Sequence, residues 1–243
     1  GLTAFMKGLV DGGPTKSGHR TPTVISTLPS NCRTVAEMRA NAWQVRQVLS
    51  AGVHGILHTH ARQADAVRAF IEECRYPFHK NGREGLGEGQ RGAGGQGRPA
   101  EIWGISPQCY TEIADPWPLN PEGELLLGLK LENQESMVNA DAICRVPGLG
   151  FAEWGPGDMG MSHGDPDAHD PPYPDFMDNA RDIVKKALDA SDVAFYSGWN
   201  DPSMTMEQIV EHLINNVGVR MMGAPNKEFA DYGRKLTGRT MPV

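Results

Sequence analysis

The chain has 243 residues, 39% of them hydrophobic, enough for one large domain with a substantial core. Its 23 basic and 30 acidic residues give a net charge of −7 with neither sign gathered into a run, which argues against nucleic acid as a partner. Four dispersed cysteines (Cys32, Cys74, Cys109, Cys144) fit no disulfide or zinc spacing, no apolar run approaches the roughly 18 residues of a membrane span, and no signal-like segment opens the chain, so a cytoplasmic protein with free thiols is expected.

Residues 23–28 (TVISTL) are β-branched and apolar, stop at Pro29, and predict a strand. Helical spacing follows over 35–49 through Val35, Met38, Ala42, Val45 and Leu49, closing near Gly52. A second strand is expected at 53–59 (VHGILHT) and a helix at 64–74, with Val67, Phe70 and Ile71 on one face. Residues 79–100 are rich in glycine and charge with little to bury, and read as a long surface loop, either a mobile insertion or an active-site flap. Beyond it come a strand at 124–131, a helix at 134–146 and a strand at 149–154 ending in Gly155-Pro156-Gly157-Asp158. An Asp-, His- and Pro-rich loop spans 163–174, followed by a helix at 176–190, a strand at 193–197, a helix at 206–215, a strand at 217–222 and a helix at 227–236. Six strand–helix units imply a parallel sheet clothed in helices, either an open doubly wound sheet or most of an eight-unit barrel. The chain is expected to form one domain over 1–243, with the glycine-rich loop as an insertion.

In such folds functional residues gather at the carboxyl ends of the strands. Two acids stand there, Glu132 after LLLGLKL and Asp158 in the GPGD turn. Oxygen ligands from two strand ends suit a hard cation such as Mg²⁺ or Mn²⁺, although two such acids are equally compatible with ordinary solvated carboxylates. His58 and His60 alternate along one strand, so that both could face the same way; His58 is assigned to interior packing, and His60 either faces a pocket or is structural. His163, Asp165, Asp167, His169 and Asp170 read as a solvated loop rather than a second metal site.

The segment LKLENQESMVNADAICRVPGLGFAEWGPGDMGMSHG resembles the signature of the HpcH/HpaI aldolase family. The matching residues are Glu132, Asn139, Asp141, Ile143, Val146-Pro147-Gly148, Gly155-Pro156, Asp158 and Ser162 with Gly164. A weaker likeness runs through LSAGVHGILHTHARQADAVRAFIEECRYPF, and the whole covers roughly residues 20–225. The resemblance implies a (β/α)8 TIM barrel, here without its first two strand–helix units. It implies a metal-dependent carbon–carbon lyase that cleaves or forms a 4-hydroxy-2-oxo acid through a metal-bound pyruvate enolate, with a 2-oxo acid and an aldehyde as small-molecule partners. Glu132 and Asp158 would hold the divalent metal, Mg²⁺ or Mn²⁺ before Co²⁺ or Zn²⁺. Gly155, Pro156, Gly157 and Asp158 would meet the substrate, and Lys130 and His60 are the catalytic candidates within the chain. Assembly as a homo-oligomer, a hexamer or trimer of dimers, is also implied.

The match breaks at three points. The family's catalytic histidine would precede Gly1. Ser26 or Thr27 stands where the family has an arginine, and Ser50 where it has an acid that supports the histidine. Losing a cation beside a developing oxyanion costs about 3 kcal/mol, and Lys130 is the candidate replacement. Two alternatives remain: a citrate-lyase-like enzyme working on an acyl-CoA, for which the basic candidates are Arg83, Arg91 and Arg98, and a catalytically silent barrel.

Overall fold

The computed structural model describes residues 1–239. Helix α1 (Leu2–Asp11) precedes strand β1 (Ile25–Thr27), helices α2 (Val35–Ala40) and α3 (Ala42–Ser50), strand β2 (Gly55–His58) and helix α4 (Ala64–Cys74). Helices α5 (Gly97–Trp103) and α6 (Pro107–Ile113) then lead to strands β3 (Pro116–Trp117) and β4 (Leu125–Lys130). Helices α7 (Gln134–Val138) and α8 (Ala140–Cys144), strand β5 (Phe151–Glu153), and helices α9 (Pro156–His163) and α10 (Asp175–Ala190) follow. Strand β6 (Ala194–Tyr196), helix α11 (Met206–Glu211), a π-helical continuation over His212–Val217 and helix α12 (Lys227–Leu236) complete the chain.

The strands pair in parallel in the order β1-β2-β4-β5-β6, with the short β3 beside the start of β4. Each main strand lies next to its successor, which is the order of a barrel wall and confirms the predicted parallel α/β class. The period of two fixes which side chains look inward. His58 packs its ring edge-on to Phe70 of α4, 5.0 Å between centroids, so its face of the sheet meets the helices. Its register partner Leu129 looks the same way, as do Leu125, Leu127 and the following Leu131, all fully buried. Leu126, Gly128 and Lys130 therefore face the concave side.

Several expectations change. The strand expected at 217–222 is reduced to one bridge between Tyr196 and Met221. The helices expected at 35–49 and 134–146 are each broken at an asparagine, Asn41 and Asn139, which leaves helical geometry and stands at the N-cap position of the next segment without a side-chain cap bond. His58 lies between sheet and helices rather than inside the barrel, with Nε2 3.2 Å from Met38 Sδ. Burial pushes its imidazole down to about 4, which keeps the ring neutral.

The 79–100 segment is largely irregular and exposed up to α5, as expected of a surface loop, but part of it is anchored. It folds against the end of α4: Gln90 N–H donates to Glu72 O at 2.8 Å and Arg91 N–H to Arg75 O at 2.9 Å. Glycine is required for that approach, because a Cβ on Gly89 would sit 2.5 Å from Tyr76 O. Arg91 is buried over the Tyr76 ring at 4.2 Å and donates to Tyr110 Oη at 2.9 Å. Beside it, the buried Arg75 grips Asp115 through two bonds of 2.6 and 2.9 Å. Since α4 runs back from the carboxyl end of β2, this network lies at the amino ends of the strands, where packing serves stability rather than chemistry.

Candidate metal centre

The carboxyl ends of β2, β4 and β5 carry the candidate residues. Lys130 ends β4 facing the concave side, and Glu132, two residues on, keeps that face. Asn133 then caps α7, accepting the Ser136 N–H at 2.9 Å while its amide donates to Ala61 O at 3.2 Å, so the ends of β4 and β2 are tied together. The motif residues brace the same place. Asn139 donates to Arg62 O at 2.8 Å, and Ser162 Oγ accepts the Gln134 N–H at 2.9 Å, clamping α9 to α7. Gly164 ends α9 at φ 80°, a left-handed cap that glycine adopts without strain.

These braces bring His60, Glu132 and Asp158 together, with one ligand atom from each lying within 4.8 Å of the others; among the described residues no other His, Cys, Asp and Glu cluster is drawn so close. His60 departs from the strand with φ 53°, a conformation uncommon outside glycine, and thereby breaks its alternation with His58. Its Nδ1 lies 3.1 Å from Glu132 Oε1 and its backbone N–H donates to the same oxygen at 3.4 Å. Asp158 projects from the first turn of α9, which Pro156 opens at the position where a missing N–H costs nothing.

Glu132 is 1% exposed, and its Oε2 is buried with no hydrogen-bond partner. Burial pushes its carboxyl up to about 7; Lys130 and the His60 N–H pull the other way, and Asp158 and Glu153 add to the rise. A Cβ on Gly155 would collide with Glu132 Oε2, so glycine leaves room at the oxygen that lacks a partner. An orphaned carboxylate oxygen, a second carboxylate and an imidazole form a donor set that fits a divalent cation. Lys130 Nζ lies 3.8 Å from Glu132 Oε2 and 3.4 Å from Glu153 Oε1. Burial works against its charge, but Glu153 and Glu132 outweigh it and hold its pKa above the ordinary lysine range. Beneath this layer the Phe151 ring fills the space left by Gly128, its partner across β4 and β5, where any Cβ would strike it.

No family model matches the chain, and no curated protein sequence matches it significantly. Solved structures do match. An HpcH/HpaI aldolase/citrate lyase family protein from Burkholderia cenocepacia J2315 superposes with a TM-score of 0.62 at 17% identity, over 88% of this chain and 71% of that one. The chain has the HpcH/HpaI aldolase fold. The HpcH/HpaI aldolase from Desulfitobacterium hafniense DCB-2 aligns at TM-score 0.60 and 14% identity, covering 97% of this chain and 86% of its own. The citrate lyase beta subunit from M. tuberculosis, complexed with oxaloacetate and magnesium, aligns at 0.52 and 14% identity over 96% and 78%.

On that fold the sequence-assigned residues Lys130, His60, Glu132, Gly155, Pro156, Gly157 and Asp158 fall at one end of the sheet, whereas Arg83, Arg91 and Arg98 do not. Arg83 donates to His79 O at 3.0 Å, Arg91 is buried, and Arg98 lies beside the first turn of α1. The 163–174 loop is largely exposed, and His163 packs against Phe176 at 4.9 Å. Glu153 escaped the sequence reading, although alternation in LGFAEW puts it on the same face as Phe151. Among the described residues no helix is long and apolar enough to cross a membrane.

Proposed function

We propose that the protein is a divalent-metal-dependent carbon–carbon lyase of the aldolase kind, cleaving or forming a 4-hydroxy-2-oxo acid. The observation that carries this reading is the approach of His60, Glu132 and Asp158, one ligand atom of each within 4.8 Å of the others, around a Glu132 carboxylate whose second oxygen is buried without a partner. Glu132, Asp158 and His60 would hold the ion. A bound divalent cation supplies positive charge that polarises a ketone and offsets the charge developing on its oxygen.

The rest falls to this chain's side chains. Lys130, at the edge of the site, donates to a substrate oxygen and replaces the cation absent at Ser26 and Thr27. The first N–H groups of α9, at Gly157 and Asp158, have no helical partner and face an incoming carboxylate, and Gly157 meets nothing within 4 Å that would block the approach. Phe151 closes the floor and keeps water from beneath the reacting carbons. An imidazole beside two carboxylates favours Mn²⁺ or Co²⁺ over Mg²⁺.

The free acid is favoured over an acyl-CoA because Arg83 and Arg91 are engaged at the opposite end of the sheet, leaving the site without a basic patch for phosphates. The test is a panel of 4-hydroxy-2-oxo acids incubated with Mn²⁺, followed by release of the 2-oxo acid. Release abolished by EDTA and restored by Mn²⁺ is expected. Protein that binds Mn²⁺ yet releases nothing from any member would instead support a barrel kept for binding.

A further inference from the structure

Lys130, Glu153 and Tyr196 are register partners across β4, β5 and β6, so they stand abreast on the concave face. In that row Lys130 faces two carboxylates. Its Nζ lies 3.4 Å from Glu153 Oε1 but 3.8 Å from Glu132 Oε2, the oxygen that otherwise lacks a partner. Lys130 is 25% exposed and Glu153 19%, so water screens the pair only in part. A lysine that closed fully on Glu132 would neutralise that carboxylate and repel a divalent ion beside it.

We propose that Glu153 is a positioning residue that draws the Lys130 ammonium away from Glu132, leaving Glu132 free to bind a divalent cation. The inference rests on the metal reading of the site. Charge balance supports it. With Glu132, Glu153 and Asp158 all ionised beside a bound cation, three negative charges and the one positive charge of Lys130 leave a net of two that a divalent ion cancels; without Glu153 the balance falls short by one. Glu153 is not drawn into the cluster formed by His60, Glu132 and Asp158, which fits a role exerted through Lys130. The pairing also leaves the ammonium close enough to the site to donate to a bound 2-oxo acid.

The experiment is Mn²⁺ titration by calorimetry on wild type, Glu153→Gln, Lys130→Met and the double variant, with melting curves to show that each is folded. Glu153→Gln is expected to bind Mn²⁺ about tenfold more weakly, since the lysine then turns to Glu132. Lys130→Met is expected to bind at least as tightly as wild type, and adding it to Glu153→Gln is expected to restore the affinity, a coupling that a purely structural glutamate would not show. Unchanged affinity in Glu153→Gln overturns the proposal. A double variant as weak as Glu153→Gln overturns it too, because Glu153 would then act without Lys130. Wild type that binds no Mn²⁺ would defeat the metal reading itself, and this inference with it, whereas loss of positioning alone leaves wild-type binding intact.

Discussion

His60 and Glu132 meet across adjacent strand ends, His60 Nδ1 lying 3.1 Å from Glu132 Oε1. A nitrogen donor is thereby placed beside two carboxylates that, alone, would bind hard cations with little discrimination. His60→Ala is expected to weaken Mn²⁺ or Co²⁺ about tenfold or more while changing Mg²⁺ affinity less than about threefold. Equal losses for all three ions in parallel titrations would remove His60 from the ligand set.

Gly155 offers a steric test. A methyl group there collides with Glu132 Oε2, although the chain at this position lies outside the left-handed region and tolerates alanine conformationally. Gly155→Ala is expected to abolish Mn²⁺ binding, with circular dichroism unchanged. Retained affinity would show that Glu132 has another route to the ion.

The raised carboxyl of Glu132 makes the metal-free protein pH-sensitive. With the folded value near 7 and the ordinary one at 4.5, the folded state holds the proton more tightly. Its penalty is absent below about pH 4.5, grows as pH rises and is complete above about pH 7, at roughly 3 kcal/mol from 1.36 kcal/mol per unit. In EDTA, Glu132→Gln is therefore expected to melt above wild type at pH 8 and equally with it at pH 4. Mn²⁺ should raise the melting temperature of wild type but not of the variant. A variant less stable than wild type at pH 8 without metal would contradict the burial argument.

Which parts of this were legible in the sequence follows from where the signal sits. Apolar runs marked β1, β2, β4, β5 and β6, because strands buried on the helix side need them. The two-residue β3 carries no period, and residues 217–222, as apolar as the others, form only one bridge. Glu132 and Asp158 were visible as acids after strands, whereas Glu153 shows its meaning only once register sets it beside Lys130. Composition over residues 79–100 could not show where that segment is anchored: Gly87 and Gly89 press against Glu72 and the backbone of α4's end, with the Gly87 N–H donating to Glu72 Oε1 at 2.8 Å.

That lower network is expected to control stability alone. Asp115→Ala leaves the fully buried Arg75 guanidinium uncompensated and should cost about 3–5 kcal/mol. Urea unfolding would measure the loss, and Mn²⁺ affinity of the folded fraction should stay at the wild-type level. A selective loss of metal binding would show that the two ends of the sheet are coupled.

The central claim is that a 2-oxo acid binds through an ion held by Glu132 and Asp158. The most direct measurement is calorimetric titration of oxalate, which mimics an enolate, into wild type and Asp158→Ala with and without Mn²⁺. Binding to wild type only when Mn²⁺ is present, and none to the variant, is expected. Oxalate binding indifferent to both the ion and the substitution would contradict it.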